Sequence, residues 1–106
     1  MNTVVEGYRT RLRSGASEHY RRVHSQIPAP LHAALTACGM VNWRIWIDGE
    51  TLFHLIETRD GRERMIERMR ARPAVDPAWD ALISTLIDDS PNSSVVLPLV
   101  WDASAC

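Results

Sequence analysis

The sequence predicts an α+β fold of the ferredoxin-like, split βαβ kind: a four-stranded antiparallel sheet with helices on one face. Three observations predict it. Alternation with a period of two marks strands at Thr3–Arg13, Val41–Ile47, Thr51–Thr58 and Val95–Trp101. Helical apolar spacing appears between the first and second strands and again between the third and fourth. The dipeptide Asp48-Gly49, the strongest hairpin signal in the chain, makes the second and third strands antiparallel neighbours.

Composition bounds the rest. A chain of 106 residues makes a single domain over residues 1–106. Its 45% hydrophobic and 24% charged residues are ordinary for a globular protein. A net charge of -1, with the arginines scattered, gives no basic face for nucleic acid or a membrane surface. There is no lysine, which excludes Schiff-base chemistry, a pyridoxal phosphate linkage and a P-loop lysine. The two cysteines, Cys38 and Cys106, form no CxxC pair and no disulfide framework, so a reducing cytoplasm is expected. Met1–Gly7 lacks the basic and apolar regions of a signal peptide, and no apolar run is long enough to cross a bilayer.

Each element has its own local cause. Ser14-Gly15-Ala16 breaks the first strand, and Ser17 is placed to cap the helix that Glu18 opens. That helical region runs to Cys38 and is interrupted at Pro28 and Pro30. Leu31, Ala34, Leu35 and Cys38 share one face of its second half, Gly39 ends it, and Cys38 reads as a small core residue. Asp60 and Glu63 form a capping-box pattern before a third helix. That helix carries only a narrow stripe of Met65, Ile66 and Met69 among charges, and so reads as exposed and marginal. Asp76-Pro77 opens the last helix, where Trp79, Leu82, Ile83, Leu86 and Ile87 follow the helical rule without a miss. Pro98 places the final strand at an edge or bulge.

One segment carries chemistry. In Glu18-His19-Tyr20-Arg21-Arg22-Val23-His24, Tyr20 and His24 stand four residues apart, on one face of a helix and one turn from each other. The prolines downstream put His24 near a helix end, where a cleft can form and where the dipole favours an imidazolium. Spacing alone favours a plainer reading, with Tyr20 anchoring the helix to a sheet and His24 a solvated polar residue. His54, between Leu52 and Ile56, reads as a buried structural histidine; His19 and His32 read as solvated. The four histidines do not make a metal set.

One sheet face of so small a domain stays wet unless something covers it. Val41, Trp43, Ile45 and Ile47 point one way on the second strand. Trp43, Ile45, Ile47, Phe53 and Val95 or Val96 include residues too apolar for water, which predicts a homodimer with two sheets face to face.

The order of elements, the length and five local strings resemble the L-rhamnose mutarotase family. The strings are Tyr20-Arg21-Arg22-Val23-His24 with the proline segment and Leu31; Cys38-Gly39-Met40-Val41-Asn42-Trp43; Leu52-Phe53-His54-Leu55-Ile56-Glu57; Trp79; and Asp89-Ser90-Pro91-Asn92-Ser93-Ser94. The resemblance implies a dimeric α/β barrel that interconverts the α and β anomers of a deoxy-hexose such as L-rhamnose or L-fucose, with no cofactor and no metal. It implies that His24 is the proton donor and Tyr20 the tyrosine that holds the sugar. It places Trp43 where the family pattern usually shows a tyrosine contact. It places Trp79 and Asp80 where that pattern shows a tryptophan pair, of which this chain keeps only the first.

Anomer exchange opens and recloses a hemiacetal ring. A base takes the anomeric hydroxyl proton while an acid protonates the ring oxygen, and one or two groups titrating near neutrality suffice. His24 fits that need; Tyr20 can orient the sugar or relay a proton; Trp43 and Trp79 can stack on the ring. Two other classes are compatible with the residues. One is a small cofactor-free monooxygenase of the same architecture, its tryptophans forming a pocket for a flat substrate. The other is a non-enzymatic dimer that binds a small molecule.

Overall fold

Four strands, β1 (Val4–Arg11), β2 (Met40–Asp48), β3 (Thr51–Thr58) and β4 (Val95–Leu97), form one sheet in the order β2-β3-β1-β4, with every neighbouring pair antiparallel. Helices α1 (Ser17–His24) and α2 (Ala29–Ala37) join β1 to β2; α3 (Arg62–Arg70) and α4 (Pro77–Ser84) join β3 to β4. This is the ferredoxin-like arrangement. The computed structural model describes residues 2–105, so Cys106 lies outside the described residues.

The β2–β3 hairpin turns on Gly49 and Glu50, between the paired residues Asp48 and Thr51. Gly49 takes a φ of 61°, which the first central position of a II′ turn requires. The turn is fastened to the β1–α1 connection: Glu50 accepts from the Gly15 N–H at 2.6 Å, and the Ser17 hydroxyl donates to the Gly49 carbonyl at 2.6 Å. Ser17 is therefore committed to the hairpin and does not cap α1. Asp60 is likewise drawn away from its expected cap. It pairs through both carboxylate oxygens with Arg68, which also donates to the Cys38 carbonyl at 3.1 Å. α3 starts at Gly61 instead, and Glu6 accepts from the Arg62 N–H at 2.8 Å. Met65 is buried in the core, so α3 is a packed helix and not a marginal one.

Two strand expectations are corrected. A bulge between Met40 and Asn42 shifts the register of β2 and leaves Val41 exposed. Beyond it Trp43, Ile45 and Ile47 face the helices, not the open side of the sheet. The open side is built from cross-strand rows: Trp46, Phe53, Arg9 and Val95 in one, then Arg44, Leu55, Gly7 and Leu97 in the next. Trp46, Phe53, Leu55, Val5 and Leu97 leave this face apolar and exposed. β4 is also shorter than predicted: Pro98, lacking a ladder donor, follows its last residue, Leu97.

Under the helices the core divides into two clusters. One gathers Tyr8, Leu35, Cys38, Met40, Ile56 and Met65. The other gathers Leu12, Ala16, Tyr20, Leu52 and Leu86. Asp76 caps α4 by accepting from the Trp79 N–H at 3.0 Å, as the sequence predicts. The helix is shorter than its apolar stripe: Leu86 and Ile87 lie beyond it, on a segment whose backbone pairs with the end of β1 through Arg13 N–H to Leu86 carbonyl at 2.8 Å.

His54 is buried at the centre of the helix-facing side. Its ring stacks on Tyr8 with centroids 4.1 Å apart and planes 8° from parallel. The indole N–H of Trp43 donates to His54 Nδ1 at 3.2 Å, and Nε2 meets the Thr10 hydroxyl at 2.8 Å. An indole N–H can only donate, so Nδ1 must accept, and the imidazole is neutral with its proton on Nε2. Burial is the main reason the His54 pKa falls to about 4, with Arg62 and then His24 adding to it. The Arg62 guanidinium lies over the Tyr8 ring at 4.2 Å.

This histidine makes the fold acid-sensitive. It binds a proton near 6.5 when unfolded but only near pH 4 when folded. Its contribution to stability is thus intact above pH 6.5 and is lost as pH falls towards 4. Urea unfolding midpoints should drop over that window, by up to about 1.4 kcal/mol per pH unit from this group. His54→Gln should flatten the slope; an unchanged slope would assign the acid sensitivity elsewhere.

Candidate active site

α1 ends at His24 and α2 begins at Ala29; the chain between them leaves one helix axis and starts another. Pro28 at φ -57° and ψ 133° carries that change of direction. The separation opens a cleft of about 730 Å³ between the helices and β2, walled by both core clusters. Ile27, Leu31 and Leu35 form one side, Ile45, Ile47 and Leu52 the floor, and Ile83 of α4 the far side.

Tyr20, His24, Trp43 and Trp79, predicted separately from three parts of the chain, all line this cleft. Tyr20 and His24 stack with centroids 4.9 Å apart and planes 29° from parallel, as two residues one helical turn apart should. Trp79 meets the His24 ring edge-on at 5.6 Å and 60°. Its backbone N–H is held by Asp76, so the α4 cap also fixes where this indole enters the cleft.

Asp80 does not join them. Successive helical residues point about 100° apart, so with Trp79 in the cleft Asp80 projects elsewhere. It borders an adjoining hollow, which shares Leu31, Leu35 and Trp43 with the cleft as a common wall.

Electrostatics follow burial. The His24 pKa is lowered chiefly by desolvation, against a smaller upward push from a backbone hydrogen bond. The Tyr20 hydroxyl is pushed up to about 12, mainly by burial and secondarily by Tyr8. At neutral pH the pair is an uncharged imidazole beside a phenol that keeps its proton. Together they offer one proton acceptor and fixed hydrogen-bond donors against apolar and aromatic walls.

The structure adds polar groups that spacing does not single out: Arg21, Ser25, His32 and Asn42 also border the cleft. Arg21 and Asn42 stand directly beside Tyr20 and Trp43, within two of the strings that carry the family resemblance. Asn42 Oδ1 accepts from the Trp43 N–H at 2.9 Å. His19 is exposed outside the cleft, and His54 lies behind Trp43. Among the described residues no group of three or more His, Cys, Asp or Glu side chains gathers to hold a metal ion. No helix among them is long and apolar enough to cross a membrane.

Comparison with solved structures finds the same architecture elsewhere. L-rhamnose mutarotase FA22100 from Formosa agariphila matches with a TM-score of 0.70 at 20% identity, over 93% of this chain and 97% of that one. Rv0793 from Mycobacterium tuberculosis matches at 0.51 and 18% identity, over 96% and 99% of the two chains. A NIPSNAP family protein from Agrobacterium tumefaciens matches at 0.52 and 21% identity, over 96% and 95%. At these identities the likeness is one of fold. No curated protein matches the sequence significantly. The family model for L-rhamnose mutarotase matches residues 6–103, from within β1 past β4, and so takes in β2 to β4, α1 to α4 and all four residues that meet in the cleft. The chain belongs to the L-rhamnose mutarotase family, a family of isomerases.

Proposed function

We propose that the cleft binds a free deoxy-hexose, L-rhamnose or its relative L-fucose, and exchanges its anomers by acid/base ring opening. The observation that carries the reading is His24, neutral and held between Tyr20 and Trp79 on the wall of an apolar, aromatic cleft. His24 takes the proton of the anomeric hydroxyl and returns it to the ring oxygen as the C1–O5 bond breaks. The products are an open-chain aldehyde and a neutral imidazole. Rotation about C1–C2 exposes the other carbonyl face, and the same steps in reverse close the second anomer. Tyr20 holds the sugar by its hydroxyl; a phenol with a pKa of about 12 is a hydrogen-bond donor and a poor source of protons. Trp43 and Trp79 stack on the C–H face of the ring and exclude water.

The working unit we propose is a homodimer closed by the open sheet face into an α/β barrel. Exposed Val5, Trp46, Phe53, Leu55 and Leu97 support it, as do Leu99, Val100 and Trp101 beyond β4. A cytoplasmic setting fits the unpaired Cys38.

Saturation-transfer NMR on L-rhamnose and L-fucose tests the reaction. Anomer exchange should exceed the uncatalysed rate for at least one sugar, and His24→Ala should cost about 10²–10⁴-fold while the fold persists. Retained exchange in that variant would remove His24 from its role. The rate should be flat around neutrality and fall with acid, the midpoint lying below the ordinary histidine value of 6.5 because the basic form is the active one. Trp46→Glu on the open face should shift sedimentation from dimer to monomer; a monomeric native chain would exclude the barrel.

A further inference from the structure

The polar atom of Trp43 is already engaged. Its indole N–H, the only hydrogen-bonding group on that side chain, points away from the cleft to His54 Nδ1 at 3.2 Å. His54 is in turn fixed on two further sides, by Thr10 at 2.8 Å and by the Tyr8 ring at 4.1 Å. His54 is 8% exposed and does not line the cleft, so it cannot itself meet a ligand there. Tyr8 and Thr10 lie on β1, His54 on β3 and Trp43 on β2, so the network crosses the three adjoining strands.

We propose that His54 is a positioning residue for the cleft: by accepting the Trp43 N–H it sets the rotation of the indole, which then presents the ligand with carbon alone. Trp43 accordingly recognises a sugar by stacking on a C–H face and not by hydrogen bonding to a hydroxyl. The side of the sugar that meets it is one on which C–H groups gather. The inference rests on the sugar-site reading for its ligand, but the hydrogen bond itself can be tested without any sugar.

The ligand-free test is the indole region of a ¹⁵N–¹H spectrum, with the Trp43 signal assigned by its loss in Trp43→Phe. The proposal expects that signal to move in His54→Leu and to return towards its native position in His54→Gln, whose amide oxygen can accept the same N–H. A Trp43 signal indifferent to His54→Leu overturns it. The functional test is anomer exchange of L-rhamnose. His54→Leu should raise KM about fivefold, the loss of one modest interaction, and leave kcat within about twofold, because uniform binding and not proton transfer is affected. In a Trp43→Phe background the same substitution should move KM no further. Additive losses, or a fall in kcat with KM unchanged, overturn the proposal. If the native protein exchanges no sugar, the sugar-site reading fails and the indole signal alone decides the role of His54. Should His54→Leu not fold, His54→Gln carries both tests: the indole signal and KM should stay near native, and a large change in either overturns the proposal.

Discussion

The site depends on a helix that is not allowed to continue. α1 stops at His24, and the chain does not turn helical again until Ala29. Pro28 forbids a continuous helix: the residue before a proline is turned away from helical angles, and the proline supplies no backbone donor to the preceding turn. α2 restarts with Ala29 and Pro30, where a proline is tolerated because the first helical N–H groups have no partner. The result is a core in two clusters, with the space between them unfilled. The same break leaves His24 as the last residue of a short helix, close enough to Tyr20 and Trp79 to be desolvated yet open to the cleft.

The sheet side depends on register. The bulge at Val41 decides which residues of β2 face inward, and it selects Trp43, Ile45 and Ile47. Cross-strand pairing sets Tyr8 opposite His54, and the next β2 row sets His54 opposite Ile45. The indole N–H of Trp43 accordingly donates to a histidine one strand inward. A shift by one residue would carry all of these side chains to the open face, so the bulge fixes the fold and the cleft floor together.

Much of this was legible in the sequence, and each failure has a physical cause. Strands, hairpin and helix order follow from periodicity, which is local. Helical spacing, also local, puts Tyr20 and His24 on one face, and their part in a site came from the family resemblance. Two expected caps failed because a distant partner competed for the side chain. Ser17 bonds the hairpin carbonyl of Gly49 and leaves α1 uncapped; Asp60 pairs with Arg68 and leaves α3 to start on Gly61. The narrow stripe of α3 looked marginal because its value lies in one residue, Met65, which reaches the core. The facing of β2 was misread because a bulge has no period to announce it. Asp80 entered through the family's tryptophan pair; on the helix it lies about 100° round from Trp79 and borders the adjoining hollow.

The remaining step concerns charge. Burial leaves His24 neutral, keeps the Tyr20 proton in place and holds His54 neutral. Among the described residues that line the cleft, Tyr20 and His24 thus carry no charge near neutral pH, and the arginine at its border, Arg21, is exposed. A reaction that builds lasting charge on its substrate would find little here to stabilise it, since a buried ion needs a partner. Ring opening makes no such demand. It borrows one proton and returns it within the same event, and its substrate, intermediate and product are all neutral. The features that lower the His24 pKa are therefore suited to the proposed chemistry: they keep the basic form available at neutral pH, and they make the transient imidazolium ready to give its proton back.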